Sequence, residues 1–213
     1  MFKNSELAKN NTPLSRKIAR ALQIKNYSNI SITDAGLTLP YGFANSSELN
    51  DAVEEWIEDP ANATSSYGFI DSWDVSNQTD LSYLFKDTSF NEYIGSWDVT
   101  NVTTMYAMFQ NAESFNQDIS SWDVSNGTDF AEMFSGATSF NQDLDGWDVS
   151  SGTEFEKMFY GATLFNQDLG SWDISSGTDF AEMFSGATLF NQDIGSWDVS
   201  SGTEFEKMFY GAT

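Results

Sequence analysis

The sequence contains no cysteine and no histidine among its 213 residues. The lack of cysteine excludes disulfide bonds, thiolate metal sites and cysteine nucleophiles. The lack of histidine excludes Ser-His-Asp triads, imidazole metal ligands and the usual proton shuttle near neutral pH. The chain therefore lacks the side chains on which many hydrolases and metalloenzymes depend.

Basic residues are also scarce. Nine Lys and Arg stand against thirty-two Asp and Glu, for a net charge of -23. This balance argues against binding to nucleic acids or anionic membranes, because both need a positive protein surface. The few basic residues are segregated, since Lys3, Lys9, Arg16, Lys17, Arg20 and Lys25 are six of the nine.

Long apolar runs are missing as well. No stretch approaches the roughly 20 apolar residues of a membrane span, and the N-terminus has no apolar core of a signal peptide. We therefore expect no membrane span, and either a processed start, export by another route, or no export. The hydrophobic fraction of 40% nevertheless predicts a folded chain rather than a disordered acidic one.

What the sequence does have is a regular repeat. Tryptophans occur at 73, 97, 122, 147, 172 and 197, at spacings of 24 and then 25 residues. Six such units predict a solenoid behind an N-terminal region. A period of fifty lies on top of this repeat, because residues 141–163 and 191–213 differ at only three positions.

Each unit is predicted to contain one short strand and one short helix. In the unit 115–139, Ile119, Trp122 and Val124 have the spacing with which leucine-rich repeats place a strand. Apolar residues then follow at i, i+3, i+4 and i+7, which is typical of one face of a helix. The fold class predicted is an α/β, leucine-rich-repeat-like solenoid, with the helical stripe formed by Phe130, Met133, Phe134 and Ala137.

The predicted helix has recognisable ends. Thr128 or Asp129 is the expected N-cap, Thr153 and Glu156 form a capping box in the next unit, and Gly136 supplies a left-handed stop. This helix phase predicts that one set of side chains is buried and another exposed. The buried set is Phe134, Phe159 and Phe184, and the exposed set is Glu132, Lys157 and Glu182.

Three regions are predicted along the chain. Residues 1–44 form a basic region, with a helix beginning near Pro13 and a hairpin across residues 30–39. Residues 45–68 form a capping helix and lead-in, and residues 69–213 form the six-unit solenoid. Ser46 or Ser47 is expected to cap this helix, which should bury Leu49, Ala52, Val53, Trp56 and Ile57 and stop before Pro60.

The most regular polar feature is the aspartate of each SWDV sequence. Stacked strands lie about 4.8 Å apart, so neighbouring carboxylates would repel by about 3.5 kcal/mol at an effective dielectric of 20. Relief through a bound cation, with Ca²⁺ as a weak candidate, would make this column a binding strip with raised aspartate pKa values. The candidate residues are Asp74, Asp98, Asp123, Asp148, Asp173 and Asp198, flanked by Ser121, Ser125, Ser171 and Ser175.

A structural interpretation of these columns is favoured over the binding strip. Repeat arrays duplicate structural residues most faithfully, and flanking serine hydroxyls could satisfy the carboxylates. A parallel column of asparagines is expected to satisfy the backbone of neighbouring units. Its members are Asn91, Asn116, Asn141, Asn166 and Asn191.

The unit FNQDISSWDVSNGTDFAEMFSGATS closely resembles the repeat of BspA-like leucine-rich-repeat surface proteins. The resemblance covers residues 69–213 and implies a non-enzymatic surface protein used in adhesion or partner recognition. The unit departs from the family pattern at two positions. Glycine stands where the family mostly has Val, which is kept at Val102, and Phe replaces the common Met, which is kept at Met105. The glycines are Gly127, Gly152, Gly177 and Gly202, and the phenylalanines are Phe130, Phe155, Phe180 and Phe205.

Three hypotheses on function follow. The first is adhesion or protein recognition at a cell surface, and the second is a building block of a virion appendage or extracellular filament docked by its N-terminal region. The third, ice binding through a hydroxyl array, is disfavoured by the charged aspartate column. An enzyme is not expected, since nothing interrupts the repeat to build a pocket, and no cofactor is expected beyond weak Ca²⁺.

The last unit is expected to leave apolar side chains uncovered. The explanations, in order of preference, are that the chain is a fragment of a longer array, that its last turn is partly disordered, or that this edge is buried in self-association. The side chains concerned are Trp197, Val199, Phe205, Met208 and Phe209.

Overall fold

The structure is a computed structural model that describes residues 40–212. The helix expected near Pro13 and the hairpin expected at 30–39 lie outside these residues. The regular elements are helix α1 (Ser46–Glu58), helix α2 (Pro60–Tyr67) and a 3-10 turn (Ile70–Ser72). The described residues beyond this turn contain turns and single parallel β-bridges, with no helix or extended strand.

Helix α1 matches the expected capping helix in position and ends before Pro60, as expected, but its N-cap differs. Its N-cap is Asn45, whose side chain accepts from the Glu48 backbone N–H at 3.0 Å, and not Ser46 or Ser47. Glu48 in turn accepts from the Ala44 N–H at 2.7 Å, which satisfies a donor just before the helix. The predicted apolar face is buried with one exception, because Ile57 is 37% exposed.

Helix α2 was not predicted, although its signals are in the sequence. Asp59 ends α1 and begins α2: its side chain accepts from the N–H groups of Ala61 and Asn62, and Pro60 occupies the first helical position. The proline that was expected only to stop one helix therefore also starts the next.

The first tryptophan of the array lies among aromatic side chains from this N-terminal part. Trp73 makes edge-to-face contacts with Phe43, Trp56 and Tyr67 at centroid distances of 5.1, 5.8 and 5.8 Å. Its opposite side stacks on Trp97 of the following unit at 6.5 Å. Trp73 is 2% exposed, so these contacts remove it from water.

The units contact one another in a constant register of 25 residues. Parallel bridges join Thr104 to Asp129, Asp129 to Glu154, and Glu154 to Asp179. Ring planes of the Phe134 column lie within 9° of each other, and their centroids are 5.5–5.6 Å apart. We propose, from this constant register, that the array is a solenoid.

The segment predicted to be a helix is a run of β-turns, so this part of the prediction was wrong. Within residues 130–137, the N–H groups of Phe130, Glu132 and Phe134 donate to carbonyls of the next unit at 2.8–2.9 Å. The intervening N–H of Met133 donates to the Phe130 carbonyl three residues back, which closes a turn. Residue Glu132 has φ of 57°, which no right-handed helix allows.

The physical reason is that apolar spacing alone does not distinguish the two structures. Phe130, Met133, Phe134 and Ala137 are buried in the turn segment just as they would be in a helix. The predicted helix caps have other roles, since the Thr153 hydroxyl donates to the Thr128 carbonyl of the preceding unit at 3.2 Å. Bonding between units satisfies backbone groups that a two-turn helix would leave open at its ends.

The predicted strand is likewise not formed as such. Ile119, Trp122 and Val124 are buried, as expected, but the Trp122 N–H donates to the Ile119 carbonyl in a local turn. The Trp122 indole N–H donates to the carbonyl of Ile94 at 3.2 Å, a bond between units made by a side chain. On this side of the unit, hydrogen bonds made by side chains therefore join adjacent units in place of a ladder of backbone bonds.

The burial predictions are confirmed for the aromatic side chains only. Phe134, Phe159 and Phe184 are 0% exposed. Glu132, Lys157 and Glu182 are half-buried rather than exposed, because the column in which they stack covers part of each side chain. In the last unit, Val199, Phe205 and Phe209 are exposed by 39, 40 and 45%.

Candidate functional site

The SWDV aspartates lie at the surface, and each one is bonded within its own unit. The Asp123 Oδ1 accepts from the hydroxyl of Ser125 at 2.6 Å and from its N–H at 3.1 Å. Thr100 replaces serine beside Asp98 and donates in the same way. The other aspartates of the column accept from the serine two residues later: Asp74 from Ser76, Asp148 from Ser150, Asp173 from Ser175 and Asp198 from Ser200.

These bonds lower the pKa values of three aspartates of the column, whereas raised values were predicted. The Ser125 hydroxyl and N–H hold the pKa of Asp123 below its ordinary value, and Ser175 does the same for the pKa of Asp173. The pKa of Asp198 is lowered by the N–H and hydroxyl of Ser200. The prediction of raised pKa values was wrong for these three aspartates, because donors within the unit outweigh repulsion along the column.

The serines that precede the tryptophans do not join the strip. The Ser121 hydroxyl donates to the Gly95 carbonyl of the preceding unit at 2.9 Å. Ser171 donates to the Asp145 carbonyl at 2.8 Å and to its carboxylate at 2.6 Å. The structure therefore brings Asp123 and Asp173 together with Ser125 and Ser175, while the preceding serines tie adjacent units.

No group of three acidic side chains within residues 40–212 has the geometry to hold a metal ion. A second acidic column consists of Asp118, Asp143, Asp168 and Asp193. The Asp118 carboxylate accepts from the hydroxyl and N–H of Ser120, which lower its pKa. Weak Ca²⁺ binding remains a prediction for these columns.

The asparagine column forms the expected ladder, and this prediction is confirmed. The Asn116 N–H donates to the side-chain oxygen of Asn91 at 2.9 Å, and the pattern continues through Asn141, Asn166 and Asn191. The following glutamine reinforces each step, as Gln142 donates to the Asn116 oxygen at 2.8 Å. These amides are occupied in holding the units together.

A different surface carries the chemical variety of the array. We call it the turn face and define it by positions 131, 132 and 135 of the turn segment and their equivalents in the other units. Four of the five tyrosines after Phe69 lie on it, Tyr93 being the exception, and it holds every lysine of the described residues. Its residues by unit are Ser82, Tyr83 and Lys86; Tyr106, Ala107 and Gln110; Ala131, Glu132 and Ser135; Glu156, Lys157 and Tyr160; Ala181, Glu182 and Ser185; Glu206, Lys207 and Tyr210.

Side chains of the turn face contact one another across units. The Tyr106 hydroxyl donates to Glu132 at 3.1 Å, and Gln110 donates to the same carboxylate. Burial and the nearby Glu132 charge raise the pKa of Tyr106. Lys86 lies over the ring of Tyr83 at 5.2 Å, close enough for a cation–π contact.

Charges on this face interact along the column as well. Hydrogen bonding to Glu156 raises the pKa of Lys157, and the charges of Glu182 and Glu132 in the two adjacent units add to the effect. Lys207 is held in the same way by Glu206 and Glu182. Lysine and glutamate therefore stabilise each other on a surface that is acidic elsewhere.

The turn face was not predicted from the sequence, because regular repetition identifies structural residues. The signal that identifies it is variation: the six units agree at the Trp and Asp positions and differ at positions 131, 132 and 135. In a repeat array, residues that hold neighbouring units are copied, whereas outward positions are free to differ.

A family model matches residues 58–162 and again residues 143–213, so the two matches together span most of the chain. The chain belongs to the DUF285 family. The family is described as Mycoplasma protein of unknown function, so membership gives no activity by itself. No curated protein and no solved structure matches the chain. In residues 40–212 of this DUF285 chain, no helix is long and apolar enough to cross a membrane.

Proposed function

We propose that the array is a non-enzymatic recognition module that binds a protein partner through the turn face, in the setting of adhesion at a cell surface. The observation that supports this most strongly is that the regularly repeated columns and the variable positions of the turn face have different roles. The regularly repeated asparagines bond adjacent units, and the aspartates bond a serine or threonine of their own unit. The positions that vary carry exposed tyrosines and partly exposed charged side chains.

The composition of the turn face suits protein recognition. Tyrosine supplies a large contact area at low entropic cost, and it is enriched in protein interfaces. Tyr83, Tyr160 and Tyr210 are exposed by 51, 41 and 72%. Lys86, Lys157 and Lys207 supply the positive charge that an otherwise acidic surface lacks.

A cell-adhesion assay with matched variants tests this proposal. Beads coated with the full chain are applied to cultured epithelial cells, and bound beads are counted. The turn-face variant carries Tyr160→Ser and Tyr210→Ser, which are the residues that neighbouring units already have at this position. The control carries Asp148→Asn and Asp173→Asn, which keep an acceptor oxygen for the adjacent serine.

The turn-face variant should lose most of the wild-type adhesion, and the aspartate variant should keep it. The opposite pattern would assign binding to the aspartate strip and overturn the turn face. Wild-type beads that bind no better than uncoated beads would contradict adhesion itself.

A further inference from the structure

The second position of the turn face, 132 and its equivalents, alternates in charge along four consecutive units. The order is Glu132, Lys157, Glu182 and Lys207. The neighbouring position at 135 alternates in size over the same units, from Ser135 to Tyr160 to Ser185 to Tyr210. The fifty-residue period of the sequence therefore appears as an alternation of charge at one position and of side-chain size at the other.

A two-fold axis between two copies of the chain places opposite charges in contact. If a second copy lies antiparallel on this face, with the axis between Lys157 and Glu182, then Lys157 meets Glu182 of the other copy and Lys207 meets Glu132. Both lysines of one copy then face glutamates of the other copy. Each of the two pairs occurs twice, because an isologous interface uses the same surface on both copies.

The same axis places large side chains opposite small ones. Tyr160 faces Ser185 of the other copy, and Tyr210 faces Ser135. Tyr160 and Tyr210 are exposed by 41 and 72%, whereas Ser185 and Ser135 are 4 and 6% exposed. Each projecting tyrosine therefore lies opposite a short side chain and not opposite a second tyrosine.

The phenylalanine rings that directly precede position 135 and its equivalents keep nearly one orientation over several units. Successive rings of the column from Phe109 to Phe209 deviate by 4, 9, 8 and 2° from parallel. Such small deviations mean that the charged column above them advances by nearly the same step from unit to unit. Four units can then meet four units without losing the alignment of charges.

We infer that the turn face also binds a second copy of this chain, paired antiparallel; this inference rests on the proposal that the turn face is a recognition surface. The net charge of -23 opposes association at long range. At physiological ionic strength the screening length is about 8 Å, so distant repulsion is reduced while charges in direct contact still attract.

The test is sedimentation velocity over a wide concentration series at physiological salt, with four proteins. Wild type is compared with K157E/K207E, whose column is all acidic, and with E132K/E182K, whose column is all basic. The fourth protein, E132K/K157E/E182K/K207E, swaps the charges but keeps the alternation and the composition. Thermal unfolding of each variant verifies that it is folded.

Wild type should form a dimer, and the swapped variant should do so with similar affinity. The all-acidic and all-basic variants should each associate at least about tenfold more weakly, because four attractive contacts become repulsive. Mixing these two variants should restore a dimer, since every pair is then opposite in charge.

A monomeric wild type throughout the series would overturn the inference, as would charge variants that associate like wild type. These failures differ from failure of the proposed function. A monomeric chain whose adhesion still depends on Tyr160 and Tyr210 would remove the second copy as partner and leave the recognition face in place.

Discussion

At the scale of single residues, two departures from the family repeat turn out to be one exchange. A Cβ atom placed on Gly152 would lie 2.5 Å from the Cζ of Phe155, which is far closer than packed atoms allow. Where the unit keeps Val102, the residue three positions later is Met105, and both are buried. The phenylalanine ring therefore occupies the space of the missing valine side chain.

This exchange predicts strong coupling between positions 152 and 155. Gly152→Val should destabilise the chain by about 1–3 kcal/mol through overpacking, and Phe155→Met by about 1 kcal/mol. The double variant should lose less than the sum by about 1 kcal/mol, because methionine vacates the space that valine needs. Urea unfolding of the four proteins measures this coupling, and strictly additive losses would refute the exchange.

The aspartate–serine bonds make a second prediction at this scale. Because the folded-state pKa values of Asp118, Asp123, Asp173 and Asp198 are lowered, their contribution to stability is present above the unfolded pKa. That contribution is lost as the pH falls through the folded values, below about 4. The melting temperature should therefore decrease on acidification.

Asparagine in place of these four aspartates provides the matched control. It retains an acceptor oxygen but cannot titrate, so the decrease in melting temperature should become shallower. A wild-type melting temperature that rises between neutral pH and pH 4 would instead support the original expectation of raised pKa values.

At the scale of the element, the turn segment shows what the sequence could and could not reveal. Spacing predicted which side of residues 130–137 is buried, and the aromatic side chains of this stripe are in the core. The backbone conformation was not predictable, since carbonyls of a neighbouring unit decide where alternate N–H groups bond. The spacing of apolar residues within one segment does not indicate a hydrogen-bond partner 24 residues away.

The left-handed backbone at Glu182 allows a direct test of turn against helix. Its φ is 54°, where a Cβ atom is unfavourable. Glu182→Gly should therefore be more stable than Glu182→Ala by about 0.5–1 kcal/mol, after the entropy cost of glycine. In a helix the order reverses, with alanine favoured by about 1 kcal/mol. The sign of the difference in chemical denaturation distinguishes the two.

At the scale of the whole molecule, the repeat period was the most informative feature of the sequence. It predicted the register in which Asn116 bonds Asn91 and Phe134 stacks on Phe159, both of which the structure contains. The turn face could not be predicted by looking for regularity, because its distinguishing feature is irregularity. Tyr106 and Glu132 meet only when adjacent units are placed side by side.

Stacking on neighbouring units stabilises each unit, and two near-identical segments test this. Phe159 and Phe209 occupy the same place in residues 141–163 and 191–213, yet Phe159 is 0% exposed and Phe209 is 45% exposed. Phe159 stacks on both Phe134 and Phe184, at 5.6 and 5.5 Å. The local sequence is the same, so a difference between them measures the neighbours.

The decisive measurement is the free energy of unfolding of Phe159→Ala and Phe209→Ala in urea. Phe159→Ala should cost about 3–5 kcal/mol, and Phe209→Ala roughly 1–2 kcal/mol, because a half-exposed ring loses less burial and leaves no closed cavity. Equal losses at the two positions would contradict the stabilisation of each unit by stacking on its neighbours.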